Sequence, residues 1–322
     1  MTGFSYDLLL PAGATGAKRH NEQVLRDLTL GIEVTEPELA ARCRLGNIDP
    51  QHDGSGSSLS AIEAAATWPL PPDGAKLVTI RPDLDAIGAM ALLTYRAEGR
   101  MLTPPMKSRI AAVAKTDRFD RGPWPGRQPM PRSPDDLLAD IGGDEIGLVT
   151  AAMRDDTLDV SERVQIAKAW LSGGVVPLAY AQAPRERAER LWRALETGDV
   201  LVEESRAPAR LVEIVSEVDG ALHLGYRFAP VVIALNPHFR FRDGAIGPKF
   251  TIAQYRQGHA DLDKALVSIA RMEDGWGGSL TIKGSPQGRP SGLNRDSVAS
   301  AVVAALQETN RHEAGENAHR SA

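Results

Sequence analysis

LVTIRPDLDAIGAMALL, residues 77–93, joins a short apolar run to a pattern of small and apolar residues. The run KLVTI (76–80) is continuous and β-branched, which predicts a buried parallel strand, and residues 85–99 have the spacing of a helix. Asp83 and Asp85 therefore follow the carboxyl end of a strand, where α/β folds bind ligands. They either belong to the helix start, with Asp85 as its cap, or they share a hard divalent cation.

The composition of the 322-residue chain, 42% hydrophobic and 25% charged, is that of a globular protein. Its formal net charge of −5 argues against strong non-specific binding to duplex nucleic acid. The single cysteine, Cys43, excludes an intrachain disulfide and a cysteine-based zinc site. The N-terminus lacks the pattern of a signal peptide, and no apolar stretch reaches the ~18 residues of a membrane span. We expect a cytoplasmic protein without a membrane partner.

The order of predicted elements indicates two domains. In residues 1–203, the strand at 76–80 is accompanied by helical patterns at about 134–152, 160–172 and 182–197. This combination predicts an α/β fold whose N-terminal domain has a parallel sheet with flanking helices. In the same part, the apolar spacing of NEQVLRDLTLGI indicates a helix.

The pattern changes at a candidate linker, residues 203–209. Beyond it, residues 204–310 alternate strand and helix patterns, which predicts a smaller mixed α/β C-terminal domain. A turn signal at Asp219-Gly220 predicts a β-hairpin formed by the apolar stretches on either side. Residues 311–322 have the composition of a disordered tail.

The residues around the acidic pair resemble the first motif of the DHH phosphoesterase superfamily, His-x-x-Pro-Asp-x-Asp-Ala-Ile-Gly-Ser after a buried strand. The matching residues are Pro82, Asp83, Asp85, Ala86, Ile87 and Gly88. The family's histidine falls on Thr79, which removes one expected metal ligand, and its serine falls on Ala89. The Asp-His-His signature itself does not occur in the sequence.

A second resemblance lies in the C-terminal part, where KFTIAQYRQG (249–258) is followed by GWGGSLTIKGSPQG (275–288). These segments are similar to the domain that accompanies the DHH domain and binds substrate phosphates or a terminal nucleotide through a glycine-rich loop. Glycines can expose N–H groups that cradle an anion, although a tight turn between strands needs glycines as well. The substrate-binding set that follows is Arg81, Gly277, Gly278, Lys283, Ser285 and Arg289, to which His20 is added because Lys18 and Arg19 precede it. For His20, an ordinary surface histidine is the alternative.

Further candidate metal ligands lie outside the first motif. NIDPQHDG (47–54) contains Asp49 and His52 in a loop that precedes the motif, so the order of the family's motifs would be permuted. Asp117 follows a predicted helix, as the family's second acidic motif does. The alternatives are an Asx turn with an exposed histidine and a solvated helix end, respectively.

Together, the resemblance implies a metal-dependent phosphoesterase that hydrolyses a phosphodiester or phosphoanhydride in a nucleotide, short oligonucleotide or polyphosphate. Asp83, Asp85 and His52 are its predicted catalytic residues, and with Asp49 and Asp117 they are its predicted ligands for Mn²⁺ or Mg²⁺. The expected partner is a phosphorylated small molecule or short single-stranded nucleic acid, and a homodimer is left open. The alternative is a degenerate relative that binds a nucleotide, an RNA end or a protein without turnover.

Overall fold

The computed structural model describes residues 3–11, 14–50, 59–117, 126–138, 145–204, 206–218, 220–241 and 244–306. The predicted tail at 311–322 lies outside these residues, as do His52 and Asp53. Two sheets organise the described chain, one with four strands and one with five.

The first sheet is entirely parallel. Its strands are β1 (Ser5–Leu8), β2 (Thr29–Ile32), β3 (Asn47–Ile48) and β4 (Lys76–Thr79), arranged in the order β1-β4-β2-β3. Because β4 pairs with both β1 and β2, the predicted strand is an inner strand, and its residues Leu77, Val78 and Thr79 are fully buried. The prediction of a buried parallel strand at this position is confirmed.

Nine helices of the described chain accompany this sheet and the connection to the next. They are α1 (Ala17–Val24), α2 (Pro37–Ala40), α3 (Ala61–Ala65), α4 (Leu84–Ala97), α5 (Pro104–Asp117), α6 (Pro134–Leu138), α7 (Glu145–Arg154), α8 (Val160–Leu171) and α9 (Ala183–Thr197).

Helix α4 is the most deeply buried of these helices, with every residue from Leu84 to Tyr95 in the core. It packs against both α3 and α8. Small residues make this possible, because a Cβ atom at Gly88 would lie 2.7 Å from Ile62 Cδ1 on α3. The helix that begins at the acidic pair is therefore closely packed between its neighbours.

The second sheet is mixed. Its strands β5 (Val200–Glu203), β6 (Leu211–Ser216), β7 (Val231–Arg240), β8 (Ile246–Gln254) and β9 (Ile282–Gly284) lie in chain order, and only the β6–β7 pair is parallel. Three helices accompany it in the described chain: α10 (Ala221–Gly225), α11 (Leu262–Ala270) and α12 (Arg295–Val303). With the parallel sheet, this arrangement confirms the predicted α/β fold class.

Each face of the second sheet is covered by helices. Ile233, Phe250 and Ile252 on one face share a core with α11 and α12. Val232 and Ala253 on the other face share a core with α10, α9 and Leu137 of α6. The predicted domain boundary at 203/204 stays a prediction, while the pairing of β5 with β6 places Val200–Glu203 in the second sheet.

Two local predictions are wrong. The stretch after Gly220 is the helix α10 rather than the second strand of a hairpin, and β6 continues to β7 as a parallel pair. Gly220 has φ 104° and starts the helix instead of a turn. The predicted helix over NEQVLRDLTLGI ends at Val24, because Thr29–Ile32 forms the buried strand β2.

The longest helices of the described residues are too short or too polar to cross a lipid bilayer.

We expect Gly225→Ala to destabilise the protein, because the new Cβ atom would lie 2.8 Å from Val232 Cγ2 on the sheet below α10. The overpacking should cost about 1–3 kcal/mol, measured by urea unfolding. Val232→Ala removes the obstructing methyl groups. The loss of unfolding free energy in the double variant should therefore be smaller than the sum of the losses in the two single variants. Strict additivity would contradict close contact between α10 and β7.

Candidate metal centre

Acidic residues gather at one edge of the parallel sheet. Glu33 follows β2, Asp49 follows β3, and Asp83 follows β4 after a short connection. Asp85 lies in the first turn of α4, and Asp117 is the last residue of α5. Since the carboxyl ends of parallel strands meet at the same edge, residues distant in sequence are brought to one place.

Three of these carboxyl groups form the centre of the cluster. Glu33, Asp85 and Asp117 each offer an oxygen atom, and the three oxygens lie within 4.8 Å of one another. Asp85 is buried and the other two are half-buried. Oxygen atoms of carboxylates are the ligands that hard divalent cations such as Mg²⁺ and Mn²⁺ prefer. We call Glu33, Asp85 and Asp117 the acidic triad.

The charge of the cluster acts on Glu33 from several sides. Burial raises the pKa of this carboxyl group well above its ordinary value, and repulsion from the other acidic side chains raises it further. These side chains are Asp83, Asp85, Asp117 and Asp49. Four of the predicted metal ligands are therefore close enough to Glu33 for their charges to raise its pKa.

Asp83 connects the cluster to helix α4. It is the N-cap residue, and its Oδ1 atom accepts a hydrogen bond of 3.0 Å from Ala86 N. Burial raises the pKa of Asp83, while this hydrogen bond, the positive charge of Arg81 and a hydrogen bond with Glu33 act in the opposite direction. Asp83 thus has a structural role at the helix start in addition to its place in the cluster.

Asp85 does not cap its own helix, contrary to the alternative that the sequence left open. Its two carboxylate oxygens accept backbone hydrogen bonds from Ala61 N at 2.7 Å and Ile62 N at 3.1 Å, at the start of α3. Burial and repulsion from Asp117 and Asp83 raise its pKa well above the ordinary value, and the two N–H groups offset part of that effect. Each oxygen keeps lone pairs for a cation, since a carboxylate accepts about four hydrogen bonds.

Glu33 is the member of the cluster that the sequence interpretation missed. Its backbone has φ 52°, and its position is fixed by the neighbouring Asn47, whose amide bonds Val34 N at 3.2 Å and Val34 O at 3.1 Å. Gly31 makes room for this amide, because a Cβ atom there would lie 2.5 Å from Asn47 Oδ1. An acidic residue directly after the buried run TLGI is the sequence signal that points to it.

The residues of the cluster fit a divalent cation. Glu33 Oε2 is shielded from solvent and has no hydrogen-bond partner among the described residues. A buried carboxylate oxygen without a donor is costly, and a cation next to it would remove that cost. Together with the all-oxygen triad, this atom favours a hard metal over Zn²⁺, which prefers nitrogen and sulfur.

Thr79 occupies the position of the family's histidine and takes part in a local turn. Its side chain is fully buried, and its Oγ1 atom bonds both Arg81 N and Arg81 O at 3.1 Å. The hydroxyl group therefore shapes the connection that leads from β4 to Asp83. His52, the residue proposed to replace that histidine, lies outside the described residues, and its role stays a prediction.

The glycine-rich segment of the second domain is bonded to its own strand. Gly277 N donates to Gly284 O at 3.2 Å, and Gly278 has φ 136° in a position where a Cβ atom would collide with Ile282 O. Lys283 is buried, and its Nζ atom lies 2.6 Å from Asp263 Oδ1 and 3.0 Å from Gly278 O. The tight-turn alternative thus accounts for contacts of Gly277, Gly278 and Lys283.

The remaining predicted substrate ligands also have partners within the protein. Ser285 Oγ accepts from Phe250 N at 3.0 Å, and Arg289 donates to Asp274 O at 2.8 Å. One ring nitrogen of His20 lies 2.7 Å from Leu8 O. Their roles in substrate binding stay predictions.

A scan of family models finds no match to the chain, and no curated protein matches it. Among solved structures, one similar chain is described as the pGpG-specific phosphodiesterase PggH from Vibrio cholerae. The sequence identity is 10%, the alignment covers 80% of this chain and 92% of that chain, and the TM-score is 0.30. Two backbones that overlap so little do not allow residue roles to be transferred, so the centre is interpreted from its own side chains.

We expect Glu33→Gln to stabilise the metal-free protein at pH 8. Because the pKa of Glu33 is raised in the folded state, its favourable contribution is complete below its unfolded pKa of ~4.3 and is lost as the pH rises through the folded pKa. The amide cannot ionise, so in EDTA the variant should melt higher at pH 8, by roughly 2 °C for each 1 kcal/mol regained, and the advantage should shrink towards pH 4.

Two comparisons complete this test. Glu196→Gln, which changes an exposed glutamate at the end of α9, should leave the melting temperature unchanged at every pH. Added Mn²⁺ should raise the melting temperature of the unmodified protein more than that of Glu33→Gln. A stabilisation by Glu33→Gln that is equal at pH 4 and pH 8 would show that Glu33 is not under electrostatic stress.

Proposed function

We propose that the protein is a metal-dependent phosphoesterase, related to the DHH superfamily, that cleaves a phosphodiester or phosphoanhydride in a nucleotide, short oligonucleotide or polyphosphate. The observation that carries this proposal is the acidic triad, whose oxygens lie within 4.8 Å of one another at the carboxyl edge of a parallel sheet. Sites of this composition, in this place of an α/β fold, are typical of divalent cations that act on phosphates.

In this proposal the acidic triad holds Mn²⁺ or Mg²⁺, and Asp83 and Asp49 contribute negative charge beside it. When bound, the cation supplies a water of lowered pKa and neutralises charge on the phosphoryl oxygens. Asp85 keeps its orientation through the two N–H groups of α3, so it is already positioned before a cation arrives. His52, outside the described residues, remains a candidate for a further ligand.

Arg81 is a proposed phosphate contact whose charge acts on the cluster. It is exposed, it lies two residues after the end of β4, and its charge acts on Asp83. A guanidinium group binds two oxygens of a phosphate at once, which fixes the orientation of the substrate. Ser285, Arg289, His20 and the glycine-rich segment with Lys283 remain further candidates for this role.

The second candidate function is binding without turnover, by a degenerate relative. Two observations favour it: Thr79 stands where the family has a histidine ligand, and both oxygens of Asp85 already accept backbone hydrogen bonds. A carboxylate engaged in this way is explained by the protein structure alone. The bound partner would be a nucleotide, an RNA end or a protein.

We expect hydrolysis of a 5′-phosphorylated dinucleotide in Mn²⁺, and its loss in EDTA. Glu33→Gln and the double variant Asp83→Asn with Asp85→Asn remove ligands or neighbouring charge, so each should lower kcat/KM by about 100-fold or more. The measurement is product formation by chromatography, accompanied by elemental analysis of the purified protein after expression with added metal.

Asp73→Asn is the matched control, since Asp73 is an exposed carboxylate that precedes β4 at the opposite edge of the same sheet. Its kcat/KM should equal that of the unmodified protein. If the protein binds the dinucleotide in EDTA but does not cleave it when any divalent cation is added, the phosphoesterase proposal is wrong and the binding function remains. Full activity of Glu33→Gln would remove the triad from the mechanism.

A further inference from the structure

Lys249 lies on the face of the second sheet opposite α11 and α12. It pairs with Asn236 of β7, while its neighbour Phe250 points into the core shared with those two helices. Since side chains alternate along a strand, Lys249 shares its face with Ala253, which packs against α10. Ala253 is four residues along β8, about 13 Å from Lys249 at the rise of a strand. Lys249 is half-buried at this position.

Aromatic rings surround the ammonium group of Lys249. Its Nζ atom lies 4.5 Å from the ring centroid of Phe239 and 5.8 Å from that of Phe241. The two rings pack edge to face with centroids 5.0 Å apart. Such contacts favour a cation, but they leave its three N–H donors without an acceptor.

Lys249 has no carboxylate or hydrogen-bond acceptor within the described part of the chain, in contrast to the buried Lys283 with Asp263. Burial lowers the pKa of Lys249, and repulsion from the positive charge of Arg81 lowers it further. The charge of Arg81, beside the acidic triad, thus acts on a lysine of the second sheet. Arg81 also acts on Asp83, whereas Lys249 has no carboxylate of its own among the described residues, so the positive charge of the lysine is open to an anionic group of a ligand.

We propose that Lys249 and Arg81 together bind a phosphate group of the substrate, with Phe239 and Phe241 holding the lysine in place. This inference rests on the proposed function and adds a specificity residue to the same site. Arg81 offers a planar fork and Lys249 a point charge, so a phosphate of a nucleotide can be held from two directions.

The test measures binding of a 5′-phosphorylated diadenylate with a 3′ fluorophore, by anisotropy in EDTA, where no turnover is expected. Lys249→Met keeps the apolar stem against Phe239 and removes the charge, so it should weaken binding by about tenfold or more. The dependence of log affinity on log salt should fall by ~0.7, the loss of one phosphate contact. Lys249→Arg retains the charge and should restore most of the affinity.

Lys264→Met is the control, because Lys264 is an exposed lysine on α11, on the other face of the sheet. It should bind as the unmodified protein does, with the same salt dependence. Unchanged affinity and salt dependence in Lys249→Met would overturn the inference, and so would a lack of binding by the unmodified protein in EDTA, since the proposed contact needs no cation.

The outcome separates this inference from the proposed function. Binding that depends on Lys249, without hydrolysis in the presence of any divalent cation, supports the phosphate contact and contradicts the proposed phosphoesterase activity. Hydrolysis in Mn²⁺ with unchanged KM and kcat in Lys249→Met supports the phosphoesterase and removes the phosphate contact.

Discussion

The repulsion among carboxylates at one sheet edge is the constraint on which the rest of the first domain depends. Glu33 lies in the field of four aspartates, so the folded state must hold like charges together in a partly buried place. The protein offsets this with backbone N–H groups: α4 offers one to Asp83, and α3 offers two to Asp85. Without those donors the desolvation of Asp85 would lose the hydrogen bonds that offset it, and Asp83 would keep the charge of Arg81 and its hydrogen bond with Glu33. Backbone hydrogen bonds thus stabilise a group of carboxylates that apolar packing would not bring together.

Much of this centre follows from the sequence because its members terminate recognisable elements. The β-branched run at 76–80 and the helical spacing behind it place Asp83 and Asp85 without any tertiary information. Asp117 ends a predicted helix, and Asp49 begins a polar loop. Once a parallel sheet is expected, its common carboxyl edge suggests convergence of these residues. The fold class is predictable for the same reason.

Other features depend on tertiary contacts that no local pattern contains. The apolar spacing around β2 fits a helix as well as a strand, so Glu33 remained hidden at its end. Gly220 has a turn-like backbone, but the packing of Gly225 on Val232 decides that a helix follows it. Lys283 has the charge expected of a phosphate ligand, yet its burial against Asp263 gives it a partner inside the protein. In each case the residue type suggested a structure or a role, and the tertiary contacts of that residue determined which one it has.

The double engagement of Asp85 makes helix α3 a sensor of the charge beside it. The carboxylate that accepts from Ala61 and Ile62 also has an oxygen within 4.8 Å of oxygens of Glu33 and Asp117. Any event that draws electron density away from this carboxylate weakens its grip on the first turn of α3, since a neutralised acceptor binds N–H groups less strongly. Amide hydrogen exchange at these two positions would then speed up or slow down with the electrostatic state of the pocket. The stability of the first turn of α3, a short helix outside the triad, therefore depends on the charge of the neighbouring carboxylates.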